Sequence, residues 1–207
     1  MTNLHHKLLG TLPIEIIEKL KSMILKYHDD QTTKKFQRIE FDEEILNYLK
    51  TLIVTDMKVQ KRIDGRYVQK VFYSDSEFVY PIHKDGSKCC SALNIVLQCN
   101  DDDWTRWYDD DLILGQSDLQ LLKSANNNTS RETSLSTVEI ENMKFVEEFK
   151  SKVGDVYLID VNTFHTWKCS GPNSRIIIQT KFDGFPTFDE LCHKISFDNI
   201  IINQKII

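Results

Sequence analysis

DVYLIDVNTFHTWKCSGPNSRIIIQTKF, residues 155–182, contains three runs of β-branched and aromatic residues. The runs are residues 155–161, 164–169 and 175–182, and the turn-forming residues 170–173 separate the last two. Val, Ile, Tyr, Phe, Trp and Thr favour extended backbone, whereas a cluster of Ser, Gly, Pro and Asn favours a turn. This stretch therefore predicts three consecutive strands joined by short connections.

Further strand-like runs precede this stretch, beginning shortly after residue 66. They are residues 67–73, 77–82, 91–98 and 104–108. Many short strands without helices between them are typical of a sandwich or a barrel. The polar segment 124–137 interrupts the pattern, and it is interpreted as an exposed loop, with a lid over a binding site as the alternative.

Helices are expected on both sides of the β-rich region. Apolar residues recur at helical intervals in residues 12–27 and 41–53, which predicts two amphipathic helices packed on the outside of a sheet. A short helix around Leu191 and an apolar strand at residues 200–202 are expected in the tail. The chain of 207 residues fits one domain with a sizeable core.

The composition argues against several classes of protein. A net charge of -5 does not favour a broad basic face that wraps duplex nucleic acid. No apolar run is long enough to predict a membrane span, and no secretory signal is recognised, so a cytoplasmic location is expected. The five cysteines have no C-x-x-C spacing, which predicts reduced thiols instead of a disulfide framework or a structural zinc site.

The sequence His83-Lys84-Asp85 is the first part of a candidate metal site. Residues two apart in a strand point to the same face, so His83 and Asp85 can converge on one point. His165, on a separate predicted strand, supplies a second imidazole. Two histidines and one carboxylate form the facial triad of non-heme Fe(II) enzymes, which leaves coordination positions open for a co-substrate and O₂.

Arg175 follows His165 by ten positions and begins a strongly β-forming run. A guanidinium can hold a carboxylate through two parallel hydrogen bonds, which suits a dicarboxylate whose other end chelates the metal. The alternative is that Arg175 pairs with a nearby acid of the chain, Asp155 or Asp160.

An H-x-D motif, a distal His after GDVYLID and an Arg ten residues further on resemble the Fe(II)/2-oxoglutarate-dependent oxygenase superfamily. The stretch SALNIVLQCNDDDWTRWYDD, residues 91–110, also resembles its short phage and bacterial hydroxylase-like members. The resemblance implies a double-stranded β-helix, also called a jelly roll or cupin-like barrel, at residues 66–183. Residues 1–65 would then form a helical flank and residues 184–207 a C-terminal extension. It also implies a dioxygenase that uses Fe(II), 2-oxoglutarate and O₂, forms succinate and CO₂, and oxidises a C–H bond of a substrate.

The resemblance also assigns roles to residues. His83, Asp85 and His165 would bind the iron, Arg175 the distal carboxylate of 2-oxoglutarate, and Asn94 its metal-chelating end. Tyr73 or Tyr80 could give a hydroxyl to the distal carboxylate. Independently of the resemblance, Trp167 is two residues after His165 and shares its strand face, so it is expected either to form a wall of the metal pocket or to belong to the core.

The sequence departs from the superfamily pattern at two points. The gap of 80 residues between Asp85 and His165 is long, and Ile177 stands where many members have Ser or Thr, so the carboxylate needs another hydroxyl partner. A cupin-like barrel that binds a metal or a carboxylate without catalysis remains the alternative function, although it would not require Arg175. No motif identifies the substrate, which could be a small molecule or a protein side chain.

Overall fold

The computed structural model describes residues 5–26, 36–40, 43–52, 57–60, 69–74, 77–85, 90–109, 122–123, 131–132 and 137–195. The strands in these ranges are β1 (His6–Thr11), β2 (Phe36–Glu40), β3 (Gln69–Ser74), β4 (Phe78–Val79), β5 (Ser91–Gln98), β6 (Trp104–Trp107), β7 (Leu122–Lys123), β8 (Arg131–Glu132), β9 (Glu147–Phe149), β10 (Asp155–Asp160), β11 (His165–Cys169) and β12 (Arg175–Thr180). The helices there are α1 (Ile14–Leu25), α2 (Glu43–Leu52), α3 (Thr137–Asn142) and α4 (Phe188–Lys194).

Ten of these strands form two antiparallel sheets. The larger sheet has the order β1-β10-β5-β12-β3-β2, and the smaller sheet has the order β4-β11-β6-β9. Strands β7 and β8 pair only with each other. Strands that are consecutive in sequence, such as β10, β11 and β12, alternate between the two sheets. The mainly β fold class predicted from the sequence is thereby confirmed.

Helices α1 and α2 cover one face of the six-stranded sheet, which we call the outer face. The helical residues Ile17, Leu20 and Ile24 are fully buried, at the spacing that places them on one side of α1. They share a hydrophobic core with outer-face residues of β5, β10 and β12, namely Leu93, Ile95, Leu97, Val156, Leu158, Ile176 and Ile178. Each such side chain contributes about 1.5–3 kcal/mol when it is fully buried.

The opposite face of the six-stranded sheet, the inner face, packs against the four-stranded sheet. A second core joins the two sheets and consists of Ala92, Val96, Trp107, Tyr157, Ile159, Val161 and Ile177. Because residues two apart in a strand share a face, Asn94, Arg175 and Gln179 also lie on the inner face. Polar side chains from three positions are therefore directed between the sheets.

Several elements differ from the sequence-based expectations. Strand β4 is limited to two residues of the predicted run 77–82, because Pro81 has no amide hydrogen for a ladder. The short edge strands β1 and β9 were not expected. The expected tail helix is α4, which begins at a capping box formed by Thr187 and Glu190.

Two sequence predictions lie outside the described residues. Most of the polar segment 124–137 and the expected strand at residues 200–202 are in this part of the chain. Among the residues that the structure does describe, no helix has the length and apolar character needed to cross a membrane.

Candidate active site

His83, Asp85 and His165 come together where the β4 connection meets the start of β11. His83 and His165 face each other in an isolated antiparallel bridge, with reciprocal backbone N–H···O hydrogen bonds of 3.0 Å. The amide of Asp85 donates to the carbonyl of Val161 at 2.9 Å. One potential ligand atom from each of the three side chains lies within 4.8 Å of the others, and the described residues contain no second group of this kind.

The local backbone at His83 differs from the prediction. His83 and Asp85 were expected at alternate positions of one strand, but His83 forms only a single bridge and Asp85 lies outside any strand. The convergence therefore depends on the pairing of His83 with His165, and on the hydrogen bond that fixes Asp85 beside Val161.

The two histidines present the same ring nitrogen to the candidate metal position. Nδ1 of His83 lies 2.9 Å from the carbonyl oxygen of Pro81, and Nδ1 of His165 lies 2.9 Å from that of Thr163. A carbonyl oxygen can only accept, so each Nδ1 carries the hydrogen and donates it. The lone pair of each ring is then on Nε2, which is the arrangement that orients a histidine for metal binding.

The protonation states also suit a metal. Burial, with a smaller contribution from the neighbouring His83, lowers the pKa of His165 to about 4, so this imidazole is neutral at neutral pH. Burial alone would raise the pKa of Asp85, but the charge of Lys181 Nζ, 2.6 Å from Asp85 Oδ2, holds it well below the usual value. A neutral imidazole and an ionised carboxylate are the forms that bind divalent cations.

Arg175 lies at the start of β12 and is 5% exposed. Its Nη2 donates to Thr105 Oγ1 at 3.1 Å, and its Cζ is 5.2 Å from the centre of the Trp167 ring. Nε is buried and has no hydrogen-bond partner. Within the described part of the chain, no carboxylate lies within 4.0 Å of the guanidinium, so Arg175 is a buried cation with unused donors.

The alternative partners of Arg175 are engaged elsewhere. Asp155 accepts hydrogen bonds from Thr11 Oγ1 and from the backbone amide of Lys152. Asp160 lies 3.2 Å from Nδ1 of His5 and accepts from Thr163 Oγ1. The structure therefore contradicts the alternative in which Arg175 forms an internal ion pair with one of these acids.

Asn94 is buried on β5 beside Tyr157. Its Nδ2 is 3.1 Å from the Tyr157 hydroxyl, while its Oδ1 is buried without a hydrogen-bond partner. Burial raises the pKa of Tyr157, which keeps this phenol protonated and able to donate. A rotation of the amide by half a turn would let Tyr157 donate to Oδ1 and would direct Nδ2 at the position without a partner. Asn94 can therefore offer a hydrogen bond to a ligand between the sheets.

The two tyrosines suggested for the carboxylate occupy different positions. The ring of Tyr80 stacks on Trp167, with 5.3 Å between ring centres, and meets the His83 ring edge to face, with 4.7 Å between ring centres. The hydroxyl of Tyr73 accepts a hydrogen bond from Ser174 Oγ at 2.8 Å. Arg175 donates instead to the hydroxyl of Thr105.

Sequence reasoning missed two polar residues of this region. Thr105 provides the hydroxyl next to Arg175 because it lies directly opposite Trp167 in the pairing of β6 with β11. Gln179 lies directly opposite Asn94 on the inner face and is buried. Both positions depend on strand register, which the local sequence does not reveal.

Solved structures with the same fold include two enzymes. HygX from Streptomyces hygroscopicus with nickel and 2-oxoglutarate bound gives a TM-score of 0.52 at 10% identity, over 85% of this chain and 81% of that chain. The structure of HygX with iron bound gives a TM-score of 0.52 at 10% identity, over 85% of this chain and 80% of that chain. The epimerase SnoN in complex with Fe3+, alpha ketoglutarate and nogalamycin RO gives 0.52 at 10% identity, over 85% and 77%. No family model matches the chain, and the search of curated proteins finds no match.

The chain therefore has the jelly-roll fold of Fe/2-oxoglutarate-dependent enzymes. This finding confirms the predicted fold, a double-stranded β-helix or jelly roll.

Proposed function

We propose that this protein is an Fe(II)- and 2-oxoglutarate-dependent dioxygenase that hydroxylates a C–H bond of its substrate. The observation that carries the proposal is the buried guanidinium of Arg175, whose Nε has no hydrogen-bond partner and which has no carboxylate within 4.0 Å among the described residues. A barrel that only binds a metal has no need for such a cation. The fold of HygX and SnoN, whose structures hold iron or nickel with 2-oxoglutarate, supports the proposal.

The triad would hold Fe(II) through Nε2 of His83, Nε2 of His165 and a carboxylate oxygen of Asp85. On both rings the available lone pair is on Nε2, because each Nδ1 donates its hydrogen to a backbone carbonyl. Three protein ligands leave open positions for a chelating co-substrate and for O₂.

The 2-oxoglutarate would extend from the triad towards Arg175. Its distal carboxylate can accept from Arg175 Nε, which has no partner, and from the hydroxyl of Thr105. Thr105 is thus the hydroxyl partner that position 177 does not supply. Asn94 can donate to the chelating end, and Trp167 covers one side of the guanidinium.

Fe(II), 2-oxoglutarate and O₂ would together supply the oxidising power, with release of succinate and CO₂. The protein orients the co-substrate and excludes water from it. The inner-face side chains Tyr157 and Ile177 are buried around this position, so the charges there act in a medium of low polarity.

The experiment that tests the proposal is anaerobic titration of the protein with Fe(II) and 2-oxoglutarate. The wild type should develop a weak visible charge-transfer band, and Asp85→Ala and His165→Ala should each abolish it. His193→Ala is the matched control, because His193 is exposed on α4 and bonds the backbone of Asp189. A band that persists in both triad variants would contradict the site.

Catalysis is distinguished from simple binding by turnover. Iron-loaded protein in air should release succinate slowly from 2-oxoglutarate even without a substrate, because the co-substrate is decarboxylated in an uncoupled reaction. The absence of succinate from protein that has bound both iron and 2-oxoglutarate would favour the non-catalytic cupin-like barrel.

A further inference from the structure

Lys181 makes a direct ion pair with a residue of the triad. Its Nζ is 2.6 Å from Oδ2 of Asp85, and its side chain is 12% exposed. The other carboxylate oxygen, Oδ1, lies 3.5 Å from Nε2 of His83. The two oxygens of Asp85 thus have different neighbours, one a cation and one the ring that would share the metal.

The backbone fixes the direction of the Lys181 side chain. Phe182, the next residue, is buried in the outer-face core and forms a bridge with Val59. The carbonyl of Lys181 accepts from the amide of Gln60 at 2.8 Å. Because neighbouring residues in extended chain point to opposite faces, Lys181 is directed to the inner side, where Asp85 lies.

We propose that Lys181 is a positioning residue that occupies Oδ2 of Asp85, so that Asp85 binds the metal through Oδ1 alone. This inference rests on the proposed function. A carboxylate without such a partner can bind a metal through both oxygens and so take an additional coordination position. By holding Oδ2, Lys181 keeps that position available for the chelating end of 2-oxoglutarate.

The inference predicts opposite effects on two binding constants. Removal of Lys181 frees a second oxygen donor and removes a positive charge near the metal, so a divalent cation should bind more tightly. The same change closes a coordination position, so 2-oxoglutarate should bind more weakly. A residue that only stabilises the fold would, on removal, weaken both.

The test uses Co(II) as an air-stable probe in place of Fe(II). Dissociation constants for Co(II), and for 2-oxoglutarate at saturating Co(II), are measured for the wild type, Lys181→Met and Lys181→Arg. Lys84→Met is the matched control, because Lys84 is adjacent to Asp85 in sequence but its Nζ lies over the Phe164 ring at 4.6 Å. The visible Co(II) spectrum before addition of 2-oxoglutarate reports the change in coordination directly.

For Lys181→Met we expect Co(II) to bind about threefold or more tightly and 2-oxoglutarate about tenfold more weakly, with an altered Co(II) spectrum. Lys181→Arg should restore the wild-type values, and Lys84→Met should leave them unchanged. If Lys181→Met does not fold, Lys181→Gln provides the same two constants.

Any other combination for the Lys181 variant overturns the inference, including weaker binding of both or no change in either. If the wild type binds Co(II) and 2-oxoglutarate while the variant behaves identically, only the role of Lys181 is wrong. If the wild type binds no Co(II), or binds it without 2-oxoglutarate, the proposed function fails and the inference fails with it.

Discussion

Arg175 places a positive charge between the two sheets, next to Trp167 and Thr105 and without a carboxylate partner among the described residues. An ionised side chain that is buried without a counter-ion is costly, because it loses its hydration and gains little in return. A bound carboxylate would supply the missing charge and accept from the free Nε. The position of Arg175 is therefore better explained by a ligand than by the stability of the free protein.

Replacement of Arg175 by Met should separate co-substrate binding from metal binding. The dissociation constant for 2-oxoglutarate should rise about 100-fold, or about 2.7 kcal/mol, since a charge-assisted pair is lost. The constant for Co(II) should not change. Both dissociation constants are measured by titration, with the visible Co(II) spectrum as the signal. Arg106→Met is the control, because Arg106 is already paired with Glu148 at 2.7 Å. Unchanged 2-oxoglutarate affinity in Arg175→Met would disprove the carboxylate site.

Replacement of Thr105 by Val removes only the hydroxyl beside Arg175 while keeping the shape of the side chain. Loss of one hydrogen bond should weaken 2-oxoglutarate binding by about 1 kcal/mol, or about fivefold. The analogue 2-oxobutyrate lacks the distal carboxylate, so the variant and the wild type should bind it equally. Thr166→Val removes a buried hydroxyl that bonds the Tyr80 carbonyl and serves as the control. Equal weakening for both ligands would show that Thr105 acts through the fold.

Among the elements, the central strands were predictable from the sequence, whereas the edge strands β1, β2 and β9 were not. Strands β5, β10 and β12 contain apolar runs that are rich in Leu, Ile and Val, because almost all of their residues are buried. The edge strand β1 alternates poorly, with Leu8 half exposed, and β9 has only the sequence EEF. An edge strand pairs with a neighbour on one side only and is less buried, so its sequence has a weaker apolar pattern from which a strand could be predicted.

In the candidate site, too, some residues could be predicted from the local sequence and others could not. The H-x-D spacing and the His-to-Arg interval are local features, and they brought His83, Asp85, His165 and Arg175 into one prediction. Thr105 contacts Arg175 across 70 positions of sequence. That contact is fixed by the register of β6 against β11, which depends on the packing of the whole sheet.

The connection from β10 to β11 should depend on Asp160 and on pH. Asp160 accepts from Thr163 Oγ1 and the amide of Asn162, and it lies beside His5. Although burial opposes it, these hydrogen bonds lower the pKa of Asp160. The folded pKa is thus below the unfolded value of about 3.9, so the stabilisation is complete above that pH and is lost as the pH falls through the folded pKa.

Asp160→Asn should therefore lower the free energy of unfolding by about 1–2 kcal/mol at neutral pH. The difference from the wild type should shrink as the pH falls from about 3.9 through the lower pKa of the folded state, where the wild-type carboxyl becomes protonated as well. Denaturant unfolding of both proteins at a series of pH values measures this difference in the free energy of unfolding. Asp102→Asn, at an exposed side chain, is the control. A difference that stays constant through the acid range would contradict the assignment of the effect to the charge of Asp160.

In the whole molecule, the two faces of the six-stranded sheet differ in composition: the outer face is apolar, and the inner face also carries buried polar side chains. The outer face is covered by helices and forms the larger apolar core. The inner face combines a smaller apolar core with the buried polar side chains Asn94, Arg175 and Gln179. The outer core can thus stabilise a sheet whose inner face carries groups that are not satisfied in the free protein.

Co(II) and 2-oxoglutarate should each stabilise the whole molecule against unfolding, and 2-oxoglutarate should do so only after the metal has bound. A ligand at 100 times its dissociation constant adds about 2.7 kcal/mol, which corresponds to a rise in Tm of about 5–10 °C for a chain of this size. Calorimetry with Co(II) should show such a rise, and 2-oxoglutarate should add a second increment only when the metal is present, because its chelating end needs the metal. Arg175→Met should keep the metal increment and lose the second, whereas Asp85→Ala should lose both. An equal shift with 2-oxoglutarate alone would mean that Arg175 holds the acid independently of the triad, and the two would then be separate sites.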